Sequence, residues 1–579
     1  MRFHRNLLSA VLLALAAVLV PLRLTAAMQP VHAPHAMVVT VQGLASQAGV
    51  DILRQGGNAV DSAVAVGFAL AVVHPQAGNI GGGGFMLVRL ADGAAHFIDY
   101  REKAPAKARR DMYLDPQGNI IPGASTLGYK AIGVPGSVAG MVYAEKKYGK
   151  LKLAQVMAPA IRLARGGFPL NWAEADEMRD PVLGRFPNSR HVFQRDGNYY
   201  QADEVFRQPE LAATLEKIAV HPDDFYHGEM ARQIASAVEQ GGGLITAQDL
   251  ANYQVKERRP VHGTYRNYEI LSAPPPSSGG IALVEALNIL EGYDLHALGS
   301  HSAESIHLTV EAFRRAFFDR AEFLGDPDFA TIPVAQLVDK KYGEAWRTSL
   351  DPYHASDSRQ LKRPAEFTEL ERYAAQHPLP LAVREPQHTT HYSVVDAEGN
   401  AVSVTTTLND SFGSRVTVPG LGFLLNDEMD DFTSKPGAPN LYGLIQSPNN
   451  AIGPEKRPLS AMTPTIVLKD GKLFLVLGSP GGPRIITTVA NILMGVVDYG
   501  MNLQEALDAP RFHHQWMPDT VYLEKGFSPD TLKLLQGMGH KVAVEGYWSD
   551  GECIEVDPLS GERLGATDTR NVSGKAIGY

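Results

Sequence analysis

Cysteine is almost absent from this sequence: Cys553 is the single one in 579 residues. One thiol closes no internal disulfide, so a chain of this length must hold together by packing alone. No basic group or helix-start signal lies near Cys553, which argues for a passive thiol over a nucleophile. Positive charge is also short. Lys and Arg number 53 against 63 Asp and Glu, a formal net charge of −10, and that balance argues against a nucleic-acid partner. One long apolar stretch, residues 7–21 (LLSAVLLALAAVLVP), follows Arg2 and Arg5 near the start. An uncleaved anchor is one reading of that stretch, but about 15 apolar residues is short for a span of about 20. Small residues at Thr25, Ala26 and Ala27 favour a signal peptide over 1–27. The expectation is therefore a periplasmic or secreted protein with no membrane span once the leader is removed.

Two familiar motifs are incomplete. The glycines Gly81 to Gly84 in NIGGGGFMLVRL lack the Lys-Ser/Thr pair of a phosphate loop, and a strand follows them where such a loop needs a helix. They read as a tight backbone passage into a strand at 85–90. His513 and His514 in RFHHQW are adjacent, so their side chains diverge, and no Glu or Cys stands at ligand spacing. No catalytic metal and no cofactor are expected.

What is present is enough apolar material, 44% of residues, for a large core. Length alone would allow three or four domains of about 150 residues, yet no clear linker divides the chain. A short strand precedes two helices after the leader. Gly56-Gly57 stops the first, and the second, 58–73, is apolar nearly all round and should be buried. A second strand at 96–102 pairs with 85–90 across the turn at 91–93. Residues 136–346 read as mostly helical. Ile306, Val310, Phe313 and Phe317 recur there at helical spacing behind Ser302 as N-cap, a core stripe. Residues 351–387 are polar and broken by five prolines, and read as an exposed, poorly packed tail. A hairpin follows, 389–396 and 401–408 around AEGN, with further strands at 465–468 and 473–477. Strands in both halves with helices between them predict stacked layers of sheet and helix, an α+β arrangement.

Thr389 stands where the proline-rich tail meets the hairpin. A threonine hydroxyl is a weak nucleophile that needs a base. At a chain terminus it would have one built in, its own α-amine, which titrates near about 8. Spacing alone leaves "TT" as an ordinary strand start. The segment TTHYSVVDAEGNAVSVTTTLNDSFGS, however, resembles the start of the small subunit of the γ-glutamyltransferase (γ-glutamyltranspeptidase) family. QGGNAVDSAVA, NIGGGGFM, FIDYREKAP, LLNDEMDDF, RPLSAMTPT and GSPGG follow the family's order over nearly the whole chain after the leader.

The resemblance implies an N-terminal-nucleophile hydrolase, an αββα sandwich in one globular unit. It implies a self-cut between His388 and Thr389 into a large subunit, 28–388, and a small one, 389–579, which stay together as a heterodimer. It implies that Thr389 attacks the γ-carbonyl of glutathione or another γ-glutamyl compound and passes the group to water, an amino acid or a dipeptide. Thr407 resembles the family's hydroxyl that orients the nucleophile, and Gly481 and Gly482 its oxyanion hole. Arg101 suits the substrate's α-carboxylate through two parallel hydrogen bonds, with Ser460 assisting. Asn409, Glu428 and Asp431 suit its α-ammonium, and each taken alone would pass for a solvated charge or loop residue. The reading holds the two signs of charge apart. Ala461 stands where many members have a second serine, leaving a backbone N–H there. Residues 435–443 resemble the lid loop, with Tyr442 over the pocket. Asp431 favours γ-glutamyl substrates over the glutaryl-type side chains handled by acylases of the same family.

Overall fold

The computed structural model describes residues 28–195, 197–367, 370, 389–435, 440, 441 and 443–579. The leader at 1–27, most of the expected tail up to His388, and Tyr442 lie outside the described residues.

The hairpin at the centre of the sequence reading is also at the centre of a sheet. Thr390–Val395 pairs with Ala401–Thr407, and both are antiparallel. The full seven-stranded order is Lys575–Gly578, Met37–Thr40, Thr390–Val395, Ala401–Thr407, Gly83–Arg89, Ala95–Asp99 and Lys256–Arg258. Strands from after position 389 thus sit between strands from before it. A second antiparallel sheet runs Val31–Ala33, Arg563–Thr567, Glu552–Val556, Lys472–Leu477, Thr465–Lys469, Tyr268–Ser272 and Val261–Tyr265, again mixing the two halves of the chain.

Alternation along the strands builds the layers. Val38, Met86, Val88, Val394, Val402 and Val404 pack against outer helices, including Ala59–Val73, which is buried along its whole length. Met37, Val39, Phe85, Leu87 and Val395 face the second sheet and share its core. Gly279–Leu290 covers that sheet's far side, flanked by Ala303–Phe323 and Arg484–Val497. Each central strand is buried on both faces, so its sequence shows no clean polar side. Helix, sheet, sheet, helix is the result.

One expectation needs an addition and one a correction. The region 136–346 is mostly helical as expected, and it also carries a hairpin, Val261–Tyr265 and Tyr268–Ser272, that completes the second sheet. Its turn residues Arg266 and Asn267 have φ of 51° and 67°, the left-handed pair that matches strand twist in a two-residue hairpin. The tail is also packed at its start. Arg363 is buried against the long helix, its Nε 2.6 Å from Asp319 and its Nη1 2.6 Å from Glu322.

Between the sheets, one patch is polar. His391 contacts Thr405 Oγ1 through Nδ1 at 2.9 Å and Ser393 Oγ through Nε2 at 3.2 Å. Ser393 donates to the carbonyl of Glu552, and Ser403 to that of Leu477, stitching one sheet to the other. Burial pushes the His391 imidazole down to about 3. An unfolded histidine takes up its proton near about 6.5. Stability contributed by neutral His391 is therefore full above that pH and is lost as pH falls toward 3. His391→Gln should show a smaller drop in melting temperature between pH 7.5 and pH 5 than the unaltered protein, measured by circular dichroism.

Candidate active site at the end of the central hairpin

Hairpin register places the two threonines. Thr390 pairs with Thr406, so Thr389 lies opposite Thr407 at the open end, on the face that looks toward the second sheet. Their hydroxyl oxygens are 3.3 Å apart. Thr407 Oγ1 also accepts from Asn409 N at 2.9 Å. Asn409 holds φ of 80°, a left-handed conformation that asparagine tolerates better than most residues. The glycine run supports this strand end from the side. Asn79 Nδ2 donates to the Thr407 carbonyl at 2.9 Å, and Gly82 N donates to Asn79 Oδ1. A Cβ on Gly82 would stand 2.1 Å from that same carbonyl, so only glycine lets the chain pass.

A narrow cavity opens beside Thr389. Arg101, Thr407, Asn409, Glu428, Asp431, Ser460, Ala461 and Gly482 line it, so nearly every residue singled out in the sequence converges on one place. Gly481 lines a second cavity that Thr389 also borders. Gly481 and Gly482 have φ of 126° and 55° immediately before the helix Arg484–Val497. Side chains would strain that backbone, and the start of the helix adds positive potential beside it.

The charges are not held apart. Glu428 and Asp431 lie on one side of a short 3-10 turn, and both engage Arg101, at 2.6 Å from Nη1 and 2.5 Å from Nη2. Arg101 Nε also donates to the Pro458 carbonyl at 3.3 Å. The guanidinium is almost wholly buried, at 1% exposure. Without substrate, leaving either sign unpaired there would be costly, so the opposite charges close on each other. Burial alone would depress Arg101, but Glu428, Asp431 and Glu102 together raise it above the usual value. Burial drives Glu428 well above the ordinary carboxylate range against the pull of Arg101, and brings Glu102 up to about 7.

One lining residue escaped the sequence reading. Arg320, on the helix Ala303–Phe323, reaches the same cavity and is 2% exposed. Its Nε donates to Ser278 Oγ at 2.9 Å, and Ser278 in turn donates to the Ser460 carbonyl at 2.6 Å. Its Nη1 has no hydrogen-bond partner, and it forms no ion pair among the described residues. Burial pulls its pKa down to about 10, with Asp431 acting the other way. The signal was available: Arg320 continues the stripe of Phe313 and Phe317 by three residues, a charge at a core position.

The remaining expectations fall as follows. Ser460 Oγ accepts from Met462 N at 3.0 Å. Within 435–443, Asn440 Nδ2 donates to Asp431 at 3.3 Å and Leu441 N to Asp430 at 2.8 Å, so this segment touches the acidic turn. Cys553 is fully buried, and burial pushes its thiol far up. His513 and His514 point to different partners, Thr487 and Asp519. His307, Glu311 and His540 do converge, a grouping the sequence reading missed. The two histidines bond directly at 2.8 Å, and Arg314 and Arg315 hold the carboxylate of Glu311.

Two facing sheets under outer helices, with a threonine at the head of a central strand, define the class: an N-terminal-nucleophile hydrolase fold. Among solved structures, the cephalosporin acylase from Bacillus halodurans superimposes with a TM-score of 0.81 at 28% identity, covering 96% of this chain and 98% of that one. The chain belongs to the γ-glutamyltranspeptidase family, whose model matches residues 45–578. It is 50% identical over 554 residues to the glutathione hydrolase proenzyme of Escherichia coli strain K12, across 95% of this chain and 93% of the relative. The glutathione hydrolase proenzyme of Pseudomonas sp. strain A14 is 49% identical, across 96% of each. The γ-glutamyltranspeptidase of Helicobacter pylori matches with a TM-score of 0.55 at 43% identity, over 59% of this chain and 97% of that one.

Proposed function

We propose that this protein is an exported, self-processing γ-glutamyltransferase that hydrolyses glutathione and related γ-glutamyl compounds or transfers their γ-glutamyl group. The observation that carries the reading is a strand-leading threonine sharing one cavity with a buried guanidinium, two carboxylates and a left-handed glycine.

Maturation breaks the His388–Thr389 bond: Thr389 Oγ displaces the amide nitrogen, and water resolves the resulting ester. The small subunit then begins with a free α-amine. That amine takes the proton from Oγ as Oγ attacks the γ-carbonyl carbon. The backbone N–H groups of Gly481 and Gly482 receive the developing oxyanion, and the leaving amine takes the proton. A γ-glutamyl ester on Thr389 remains, and water or a second amine attacks its carbonyl to restore the hydroxyl. Thr407 steers the nucleophile throughout, and Tyr442 is assigned to the lid.

The substrate's α-amino-acid head replaces the internal ion pairs. Its ammonium takes the place of Arg101 beside Glu428 and Asp431, with Asn409 close by. Its carboxylate goes to Arg101, the Ser460 hydroxyl and the backbone N–H of Ala461. Arg320 joins them, since it brings the cavity an unpaired donor. Arg320→Gln is expected to raise KM for γ-glutamyl-p-nitroanilide about tenfold or more while self-cutting proceeds, because a charge-assisted hydrogen bond contributes about 1.5–3 kcal/mol. An unchanged KM would remove Arg320 from the binding set.

A second reading, an acylase for glutaryl-type side chains, draws on the likeness to the Bacillus halodurans protein. Asp431 weighs against it, because a glutaryl group offers no ammonium to that carboxylate. Rates of p-nitroaniline release from γ-glutamyl and glutaryl anilides separate the two. Preference for the glutaryl compound would overturn the proposal.

A further inference from the structure

The pocket for the substrate's α-amino-acid head has two walls that come from separate stretches of chain. Asp431 ends the 3-10 turn Glu428–Asp431, and Ser460 follows Leu459 on a later segment. A side chain that does not line the cavity joins them. Asn450, at the end of the short turn Pro448–Asn450, is buried at 0% exposure. Its Nδ2 donates to the Asp431 carbonyl at 2.6 Å, and its Oδ1 accepts from Leu459 N at 2.8 Å. We propose that Asn450 is a positioning residue that sets the distance between the ammonium side and the carboxylate side of the head pocket. The inference rests on the assignment of Asp431 and Ser460 to those two charges.

Hydrogen-bond chemistry selects this residue type. The Asp431 carbonyl needs a donor and the Leu459 N–H needs an acceptor, so the amide fits in one orientation only. Its second N–H goes to Gln446 Oε1 at 2.8 Å, and Gln446 Nε2 returns to the Asp431 carbonyl at 3.2 Å. An apolar side chain at 450 would leave a buried N–H unpaired on one wall and weaken the bond to a carbonyl on the other. The backbone of Asn450 holds the acidic side as well, its carbonyl accepting from Thr433 N at 2.9 Å. The carboxylate side is tied down independently. Ser460 N donates to the Pro276 carbonyl at 2.9 Å, and the Ser460 carbonyl accepts from Ser278 N at 2.8 Å. Those partners lead into the buried helix Gly279–Leu290. Asn450 therefore ties the acidic turn to a wall that is already rigid.

The chemistry of the ligand makes the spacing matter. The α-ammonium and α-carboxylate hang from one carbon, so their separation does not adapt to a displaced wall. A misplacement of about 1 Å can cost about 10²-fold. On binding, Asp431 also exchanges Arg101 for the ammonium. With its carbonyl held by Asn450 and Gln446, that exchange needs only the side chain to turn. A glutaryl group, which has a carboxylate and no ammonium, is gripped from one wall and makes no use of the spacing.

The test measures KM and kcat of the processed protein, Asn450→Ala and Gln446→Met. The ligands are γ-glutamyl-p-nitroanilide and glutaryl-p-nitroanilide, the latter read as a substrate or, where turnover is slow, as a competitive inhibitor. Asn450→Ala removes both links between the walls, whereas Gln446→Met removes only the second donor to the Asp431 carbonyl. Asn450→Ala is expected to raise KM for the γ-glutamyl compound about tenfold, with kcat and the glutaryl constant each changed by less than about threefold. Gln446→Met should raise the same KM about threefold. A general loosening of the fold would move both ligands alike. Equal rises for the two, a fall in kcat at constant KM, or unchanged constants in both variants therefore overturn the proposal. If Asn450→Ala fails to divide, the Gln446→Met result decides alone. Asp431→Asn in the same assay keeps the two levels apart. A γ-glutamyl KM untouched by that change sinks the ammonium assignment itself. A raised one, beside unchanged constants for Asn450→Ala and Gln446→Met, sinks only the positioning role.

Discussion

Thr389→Ala is expected to remain one polypeptide and to lose γ-glutamyl transfer by at least about 10⁴-fold. Two losses coincide. The hydroxyl that attacks the substrate is gone, and so is the one that breaks the bond releasing the α-amine. Removing a nucleophile from such a constellation costs about 10⁴–10⁶ in rate. Thr389→Ser keeps an attacking oxygen opposite Thr407 and should still divide, with reduced turnover, since serine lacks the methyl group that limits rotamers. A denaturing gel and an anilide assay read both. If the alanine variant divides at the same bond, an outside protease makes the cut. If it stays whole and turns over γ-glutamyl compounds at the normal rate, the nucleophile lies elsewhere.

The second large effect is expected at Arg101. Arg101→Gln removes a cation that Glu428 and Asp431 share, at a site 1% exposed. Breaking a buried pair by deleting one partner costs about 3–5 kcal/mol, part of it from the carboxylates left behind. For a substrate carboxylate that loses this guanidinium, a loss of about 3–5 kcal/mol corresponds to a fall in kcat/KM of about 10² to several thousand fold. The loss should fall on γ-glutamyl and glutaryl anilides alike, because both present a carboxylate to this guanidinium. Asp431→Asn should separate them, weakening only the substrate that carries an ammonium. Equal losses on both substrates for Asp431→Asn would detach that residue from the ammonium.

Much of this was legible in the sequence, and the boundary of legibility has physical causes. The central hairpin was readable because a turn of the AEGN type stands between two alternating runs. Its register was not: strands read as 389–396 and 401–408 would set Thr389 opposite Leu408. The chain closes the turn one residue earlier, pairing Val395 with Ala401, and so sets it opposite Thr407. A one-residue slip changes every cross-strand neighbour. The hairpin at 261–272 was hidden because Gly263 interrupts its first strand and Arg266-Asn267 is not the usual Asn-Gly turn. The pairing of Arg101 with Glu428 and Asp431 was out of reach for another reason. Sequence resemblance assigned each charge to a substrate group, whereas an empty buried site must first neutralise itself. Arg320 shows in the sequence only as a charge set on an apolar stripe, three residues beyond Phe317.

The interleaving of the strands has a consequence for the life of the protein after the cut. Met37–Thr40 and Gly83–Arg89 flank the hairpin that starts beside Thr389, and the second sheet mixes the halves too. Before division, this arrangement is reached by one tether searching its own length. Afterwards the same assembly, once fully unfolded, must be rebuilt by two strangers meeting in solution. Recovery of the divided molecule then depends on dilution, while the undivided one regains its shape at any concentration. The cut makes the enzyme at the cost of its memory of how to fold.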